Sequence, residues 1–288
     1  MESAFEINIG NIQVSRRDSK KSLGFDSLVM AAELHFSNIA WRSELGLQRE
    51  GNEDSGFVSP SLLAVADGMG GYVGGEIASS TVINKLSELT PVLTNSELDN
   101  ESREDILRTS ILDMDAAIAG IGAERPELIG MGTTLTTIAL FNNYVLLLHI
   151  GDSRAYRIRG KKIEQISHDH TVVQELVDQG RLTLDEIAEH PQRSFLTQAL
   201  MGKENLNPVL IAYPALPGDK YLLCSDGLTA VVDEGKIVGA LQSDLQTAVN
   251  SLVDLTYKNG APDNVTVIAA EIGESISTIT PTKFGAAS

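Results

Sequence analysis

A single cysteine stands in 288 residues, so no internal disulfide can form, and the chain suits a reducing compartment. Basic side chains are scarce: Lys and Arg number 22 against 39 Asp and Glu, a formal charge of -17. A chain this acidic repels phosphate backbones and anionic headgroups, so neither nucleic acid nor a membrane surface is expected as a partner. No apolar run approaches the roughly 20 residues that span a bilayer. The opening MESAFEINIGNIQV lacks both a basic region and an apolar stretch, so no signal peptide is expected and the expected location is cytoplasmic. There is no internal repeat and no low-complexity tract. What is present is globular composition, 42% hydrophobic and 21% charged, in a length that allows one large domain or two small ones.

Three zones differ along the chain. Residues 1–32 form an N-terminal extension with a basic, serine-bearing cluster from Ser15 to Ser22, read as a solvated segment with docking or modification as the alternative. Residues 33–273 read as one continuous domain, and 274–288, polar and rich in Thr and Ser, as a disordered tail. Within the domain, short apolar runs bounded by turns predict strands at Ser61–Ala66, Thr133–Phe141, Tyr144–Ile150, Ala155–Ile158, Tyr221–Cys224 and Asn264–Ala270, with another at Gly56–Val58. Asn142 and Asn143 suit a hairpin turn because Asn tolerates positive φ, and Gly160 marks a second turn. Helical spacing predicts helices over Ala78–Leu89, Asp105–Ile121, Val172–Gln179 and Leu245–Lys258, and Thr183 with Glu186 has the form of a capping box. Successive strands with tight turns favour antiparallel pairing, and the long helices fall before and after them. The expected class is α+β, with packed sheets flanked by helices.

The aspartates sit at the mouths of the predicted strands. Leu62–Ala66 runs into Asp67, Gly68, Met69, Gly70 and Gly71; Val145–Ile150 into Gly151 and Asp152; Tyr221–Cys224 into Ser225, Asp226 and Gly227. Asp263 directly precedes the strand that starts at Asn264, and Glu53 and Asp54 precede Gly56–Val58. Carboxylates converging from such positions would repel one another and rise in pKa unless a cation held them. Hard oxygen donors select Mg2+ or Mn2+ over Zn2+. The competing reading, for any one of these sites, is an ordinary Asp-Gly turn.

The order of the motifs carries the reading further. Arg49 to Asp54 (REGNED), Val65 to Gly71 (VADGMGG), Gly132 to Thr134 (GTT), His149 to Arg154 (HIGDSR), Leu223 to Leu228 (LCSDGL) and Gly260 to Thr266 (GAPDNVT) occur in that order. The chain thereby resembles the metal-dependent Ser/Thr protein phosphatases of the protein phosphatase 2C type in their bacterial form, over roughly residues 35–273. The resemblance implies a central antiparallel β-sandwich with helices on both faces, a four-layer αββα arrangement. It implies that Asp67 bridges two Mn2+ or Mg2+ ions with the Gly68 carbonyl as a further ligand, and that Asp226 and Asp263 complete one site. Glu53 and Asp54 serve the other ion, directly or through water, Asp152 with Asp226 holds a third in bacterial members, and Arg49 contacts the substrate phosphate. The implied catalytic set is Arg49, Asp67, Asp226 and Asp263.

The implied reaction is hydrolysis of phosphoserine and phosphothreonine in proteins. A hydroxide shared by two cations roughly 4 Å apart attacks phosphorus in line, and no covalent phospho-enzyme forms. Met69 stands where some members carry His, so a metal-bound water is the candidate for protonating the leaving alkoxide. The partners implied are phosphorylated protein substrates, among them a Ser/Thr kinase, and nothing in the sequence demands more than a monomer. The alternatives are a catalytically silent relative that binds phosphoprotein and, more remotely, a metal-stabilised structural domain.

Other features point nowhere catalytic. Cys224 lacks the Arg six residues on that a cysteine-dependent phosphatase needs, since position 230 is Ala, so it reads as a small buried hydrophobe. The Gly68–Gly75 run lacks the Lys and Ser/Thr of a P-loop. Lys161 to about Gly202 matches the flap region of bacterial members; its His168 and His170, two apart, are either loop histidines in hydrogen bonds or, less simply, metal ligands.

Overall fold

The computed structural model describes residues 33–288 apart from Tyr72, Ser96, Glu204, Asn205, Ile276 and Ser277. The N-terminal extension expected over 1–32, with its basic cluster, lies outside the described residues. The elements begin with β1 (His35–Glu44), β2 (Asp54–Val58), β3 (Leu62–Met69), α1 (Gly74–Leu93) and α2 (Asn100–Glu124). Next come β4 (Gly132–Thr133), β5 (Leu135–Phe141), β6 (Tyr144–Ile150), β7 (Arg154–Arg159), β8 (Lys162–Gln165) and α3 (Val172–Asp178). Last are β9 (Val209–Pro214), β10 (Lys220–Cys224), α4 (Asp226–Thr229), α5 (Glu234–Ala240), α6 (Leu245–Lys258), β11 (Val265–Gly273) and β12 (Thr282–Gly285).

Two antiparallel sheets face each other. One runs β1-β11-β10-β7-β8; the other runs β12-β2-β3-β5-β6-β9, with β4 paired to β3. Period-2 alternation sorts each strand's side chains between two cores. In β3, Leu63 and Val65 point between the sheets, while Leu62, Ala64 and Ala66 pack under α1 and α2. In β10, Tyr221 and Leu223 point between the sheets, while Leu222 and Cys224 lie in the cluster with Leu245, Val249 and Leu252 of α6. Three cores for four layers explain why β6 is buried along almost its whole length: it is covered on both faces. Each fully buried Leu or Val contributes about 1.5–3 kcal/mol by leaving water. The expected αββα class is what the structure has.

Local chemistry sets the ends of the elements. Asp99 and Asp244 accept from the Ser102 and Thr247 amides at the starts of α2 and α6. The Thr183–Glu186 box is present and opens a short 3-10 helix over Leu184–Glu189. Asn142 takes φ 51° in the two-residue turn between β5 and β6. The strand expected over Thr133–Phe141 is broken at Thr134, whose amide leaves the ladder for the Asp67 carbonyl at 2.9 Å. Among the described residues no helix is long and apolar enough to cross a membrane.

The tail expected to be disordered corrects the sequence reading: β12 pairs with β2, from Thr282 opposite Val58 to Gly285 opposite Ser55. Phe284 stacks on Trp41 with ring centroids 5.9 Å apart and lies over Gly56, where a Cβ would run into its ring. One aromatic in a polar stretch is enough to seat a short edge strand. Just beyond it, the Ala286 amide donates to the Asp54 carbonyl at 2.8 Å.

Candidate metal centre

Each candidate ligand stands just beyond or at the end of a strand, all at one pole of the sandwich. Asp54 opens β2 and pairs across the ladder with Asp67 near the end of β3. Cys224, the last residue of β10, lies between Arg154 at the start of β7 and Val267 of β11. The turn bearing Asp152, the start of α4 at Asp226 and the loop bearing Asp263 therefore emerge side by side. The Asp67 and Asp226 carboxyls lie within hydrogen-bonding reach of each other. Arg49 reaches Asp263 with N–O 2.6 Å, and the Gly75 amide donates to Glu53.

The electrostatics follow from that crowding. Burial, then the charges of Asp54, Asp226, Asp152 and Asp263, raise Asp67 well above the carboxylate range. Burial raises Asp54 to about 7 against hydrogen bonds from Ser225 and Thr266, with Asp226 and Asp263 pushing the same way. Asp152 rises to about 7 through burial, Asp226 and Asp169, with Arg154 opposing. Asp226 is raised by burial and by Asp263. Glu53 is raised by burial, with Arg49 pulling it down. A cluster in which every resolved carboxyl shift is upward is a strong binder of positive charge.

The residues present fit a small hard cation. Asp54 is fully buried; its Oδ2 accepts from Ser225 Oγ at 2.7 Å, while Oδ1 has no hydrogen-bond partner. The backbone at Gly68 passes so close to the Gly75 and Glu53 carbonyl oxygens that a Cβ there would overlap them. The donors are oxygens throughout, carboxylates plus the Gly68 carbonyl, the set suited to Mg2+ or Mn2+. Among the described residues no three His, Cys, Asp or Glu side chains already close on one point. The fit therefore rests on burial, mutual repulsion and donor chemistry.

Several supporting residues lie inside the quoted motifs, but nothing in the sequence assigned them roles. Asn264 accepts from the Glu53 amide at 2.9 Å and donates to the Leu45 and Gly51 carbonyls, stapling the loop that carries Arg49 and Glu53. Ser225 Oγ accepts from the Thr266 amide at 3.0 Å while donating to Asp54. Thr134 Oγ1 takes the Asp67 amide and meets Ser153 Oγ at 2.8 Å. The available signal was a hydroxyl or amide residue beside each motif acid.

The residues set aside behave as small parts of the scaffold. Cys224 is buried, and burial pushes its thiol up to about 12, far from a nucleophile at neutral pH. His168 pairs with Asp178 at 2.8 Å, and His170 Nδ1 accepts from the Gly151 amide at 3.0 Å. Both are hydrogen-bonded loop histidines.

An αββα sandwich that gathers oxygen ligands at the strand ends of one pole is the architecture of the metal-dependent protein phosphatases. The chain belongs to the protein phosphatase 2C family, whose model matches residues 52–265. It is 44% identical over 237 residues to the serine/threonine protein phosphatase PstP of Mycobacterium tuberculosis, covering 81% of this chain and 44% of that protein. It therefore spans less than half the length of that relative. It is 32% identical over 242 residues to the serine/threonine phosphatase stp of Listeria welshimeri, covering 80% of this chain and 94% of that one. A crystal structure of the PstP catalytic domain in complex with two manganese ions superposes with a TM-score of 0.76 at 41% identity, covering 83% of this chain and 99% of that one.

Proposed function

We propose that the chain hydrolyses phosphoserine and phosphothreonine esters in proteins, with the carboxylate pole holding two Mn2+ or Mg2+ ions and a third between Asp152 and Asp226. The observation that carries this is the contact of Asp67 with Asp226, beside a buried Asp54 whose Oδ1 lacks a partner. Asp67, Asp226 and Asp263 are the ligands proposed for one ion and Asp67 with Glu53 and Asp54, directly or through water, for the other, with the Gly68 carbonyl as a further ligand. Bound there, the ions supply Lewis acidity and a water acidified toward neutrality.

The chain's own residues do the rest. Arg49 stays charged, since its hydrogen bond to Asp263 raises it further. Its side chain is 47% exposed, so the guanidinium can turn from Asp263 to grip a phosphoryl group in the rim of the site. Asn264 and Ser225 orient the Glu53 loop and Asp54, so the acids are held by rigid strand ends before substrate arrives. Cys224, high in pKa and buried, offers no nucleophile for a covalent intermediate.

The substrates proposed are phosphorylated proteins, among them a Ser/Thr kinase, met by a monomer in the cytoplasm. The names of the relatives support the substrate class, and the single cysteine supports the compartment. The deciding assay is hydrolysis of a phosphothreonine peptide by the full chain with Mn2+ and with chelator. Turnover should require the metal and fall at least about 100-fold in Asp226→Asn. Peptide binding without turnover at saturating Mn2+ would overturn the reading.

A further inference from the structure

The turn from Gly151 to Arg154 is locked to the segment Ser167–His170 by bonds on both sides of Asp152. The Gly151 amide donates to His170 Nδ1 at 3.0 Å, and the His170 amide donates back to the Gly151 carbonyl at 2.8 Å. On the other side, Arg154 forks onto Asp169: Nε lies 3.1 and 2.9 Å from its two oxygens, and a terminal nitrogen lies 2.6 Å from Oδ2. The Ala155 amide closes the set on Ser167 Oγ at 3.0 Å. Beneath it, the buried His149 ring stacks on His170 with centroids 5.0 Å apart.

The fork has an electrostatic consequence. Arg154 stands two residues from Asp152, where β7 leaves the turn, and its guanidinium is spent on Asp169. A guanidinium free to turn would settle on Asp152 and occupy the oxygens a cation needs. Asp169 is only 7% exposed, so solvent competes little for the fork, which fixes the guanidinium in a planar, two-point geometry.

We propose that Asp169 and His170 are positioning residues: Asp169 withholds Arg154 from Asp152, and His170 fixes the Gly151 backbone, so that Asp152 stays available to a divalent cation. The inference rests on the assignment of Asp152 as a ligand.

The test titrates Mn2+ alone into the full chain by calorimetry, with no substrate present. Asp152→Asn should remove one class of binding; an unchanged isotherm there would sink the ligand assignment and the inference with it. With that class established, Asp169→Asn should weaken it at least about tenfold. The double change Asp169→Asn with Arg154→Gln should bring it back to within about threefold of the parent. A structural lesion would not be repaired by losing a second clasp residue, so the recovery is specific to the withholding role. Should Asp169→Asn not fold, His170→Ala carries the test, with the same binding class expected to weaken while the Asp169 fork is intact. Unaltered affinity in Asp169→Asn, failure of the double change to recover, or unaltered affinity in a His170→Ala protein overturns the inference.

Discussion

Asp54 and Asp67 face each other on one rung of the ladder between β2 and β3, two carboxyls where a sheet ordinarily avoids like charge. Asp54, at about 7, and Asp67, higher than the carboxylate range, both hold protons far more tightly than in an unfolded chain, chiefly because they are buried. The folded protein therefore binds more protons than the unfolded one from about pH 4 up to about pH 7, and without metal its stability falls as pH rises through that window. Thermal melts in chelator should show a lower Tm at pH 7.5 than at pH 5. Saturating Mn2+ should raise the Tm most at the higher pH, since a cation replaces the protons. A Tm in chelator that climbs between those two pH values would contradict the raised carboxyls.

Arg49 meets Asp263 near the surface, so its loss should spare the fold and show in substrate binding. Arg49→Ala is expected to raise KM for a phosphothreonine peptide about tenfold or more, with a melting curve close to that of the parent. Michaelis kinetics check it, and an unmoved KM would remove Arg49 from the phosphate site.

Gly75 tests the close packing under the candidate ligands. Gly→Ala in a helix ordinarily stabilises by about 1 kcal/mol. At Gly75 the added Cβ would stand 2.7 Å from Glu53 Cδ and 2.8 Å from the Met69 amide nitrogen, so the sign should reverse to a loss of about 1–3 kcal/mol. Gly239 in α5, exposed with nothing within 4 Å, is the matched control and should gain on the same change. Urea unfolding of the two variants gives both signs; a stabilised Gly75→Ala would contradict the packing.

Phe284 holds β12 to the sheet through Trp41 and Gly56. Phe284→Ala is expected to cost about 3 kcal/mol, and deletion of residues 274–288 at least as much, because the Ala286 bond to the Asp54 backbone goes with it. Denaturant midpoints measure both, and a truncated chain as stable as the parent would return this segment to a dispensable tail.

The amino-acid sequence by itself determined the local architecture and the chemistry on offer. Tyr144–Ile150 and Leu245–Lys258 were legible to the residue, because burial on both faces or on one helical face leaves its period in the apolar pattern. The strand-mouth aspartates and their order were legible for the same reason, as acids placed where apolar runs stop. β1 and β9 were not, since partly exposed strands carry mixed side chains and a weak period.

Only the tertiary structure decided which groups meet. Arg49 joins Asp263 across 214 positions and Ser225 joins Asp54 across 171. The break at Thr134, the return of β12 and the grip of Asp169 on Arg154 likewise depend on where a distant strand or loop comes to lie. A local pattern records how a segment is buried, whereas the register between remote segments is fixed by the packing of all of them together, and no single stretch of sequence carries it.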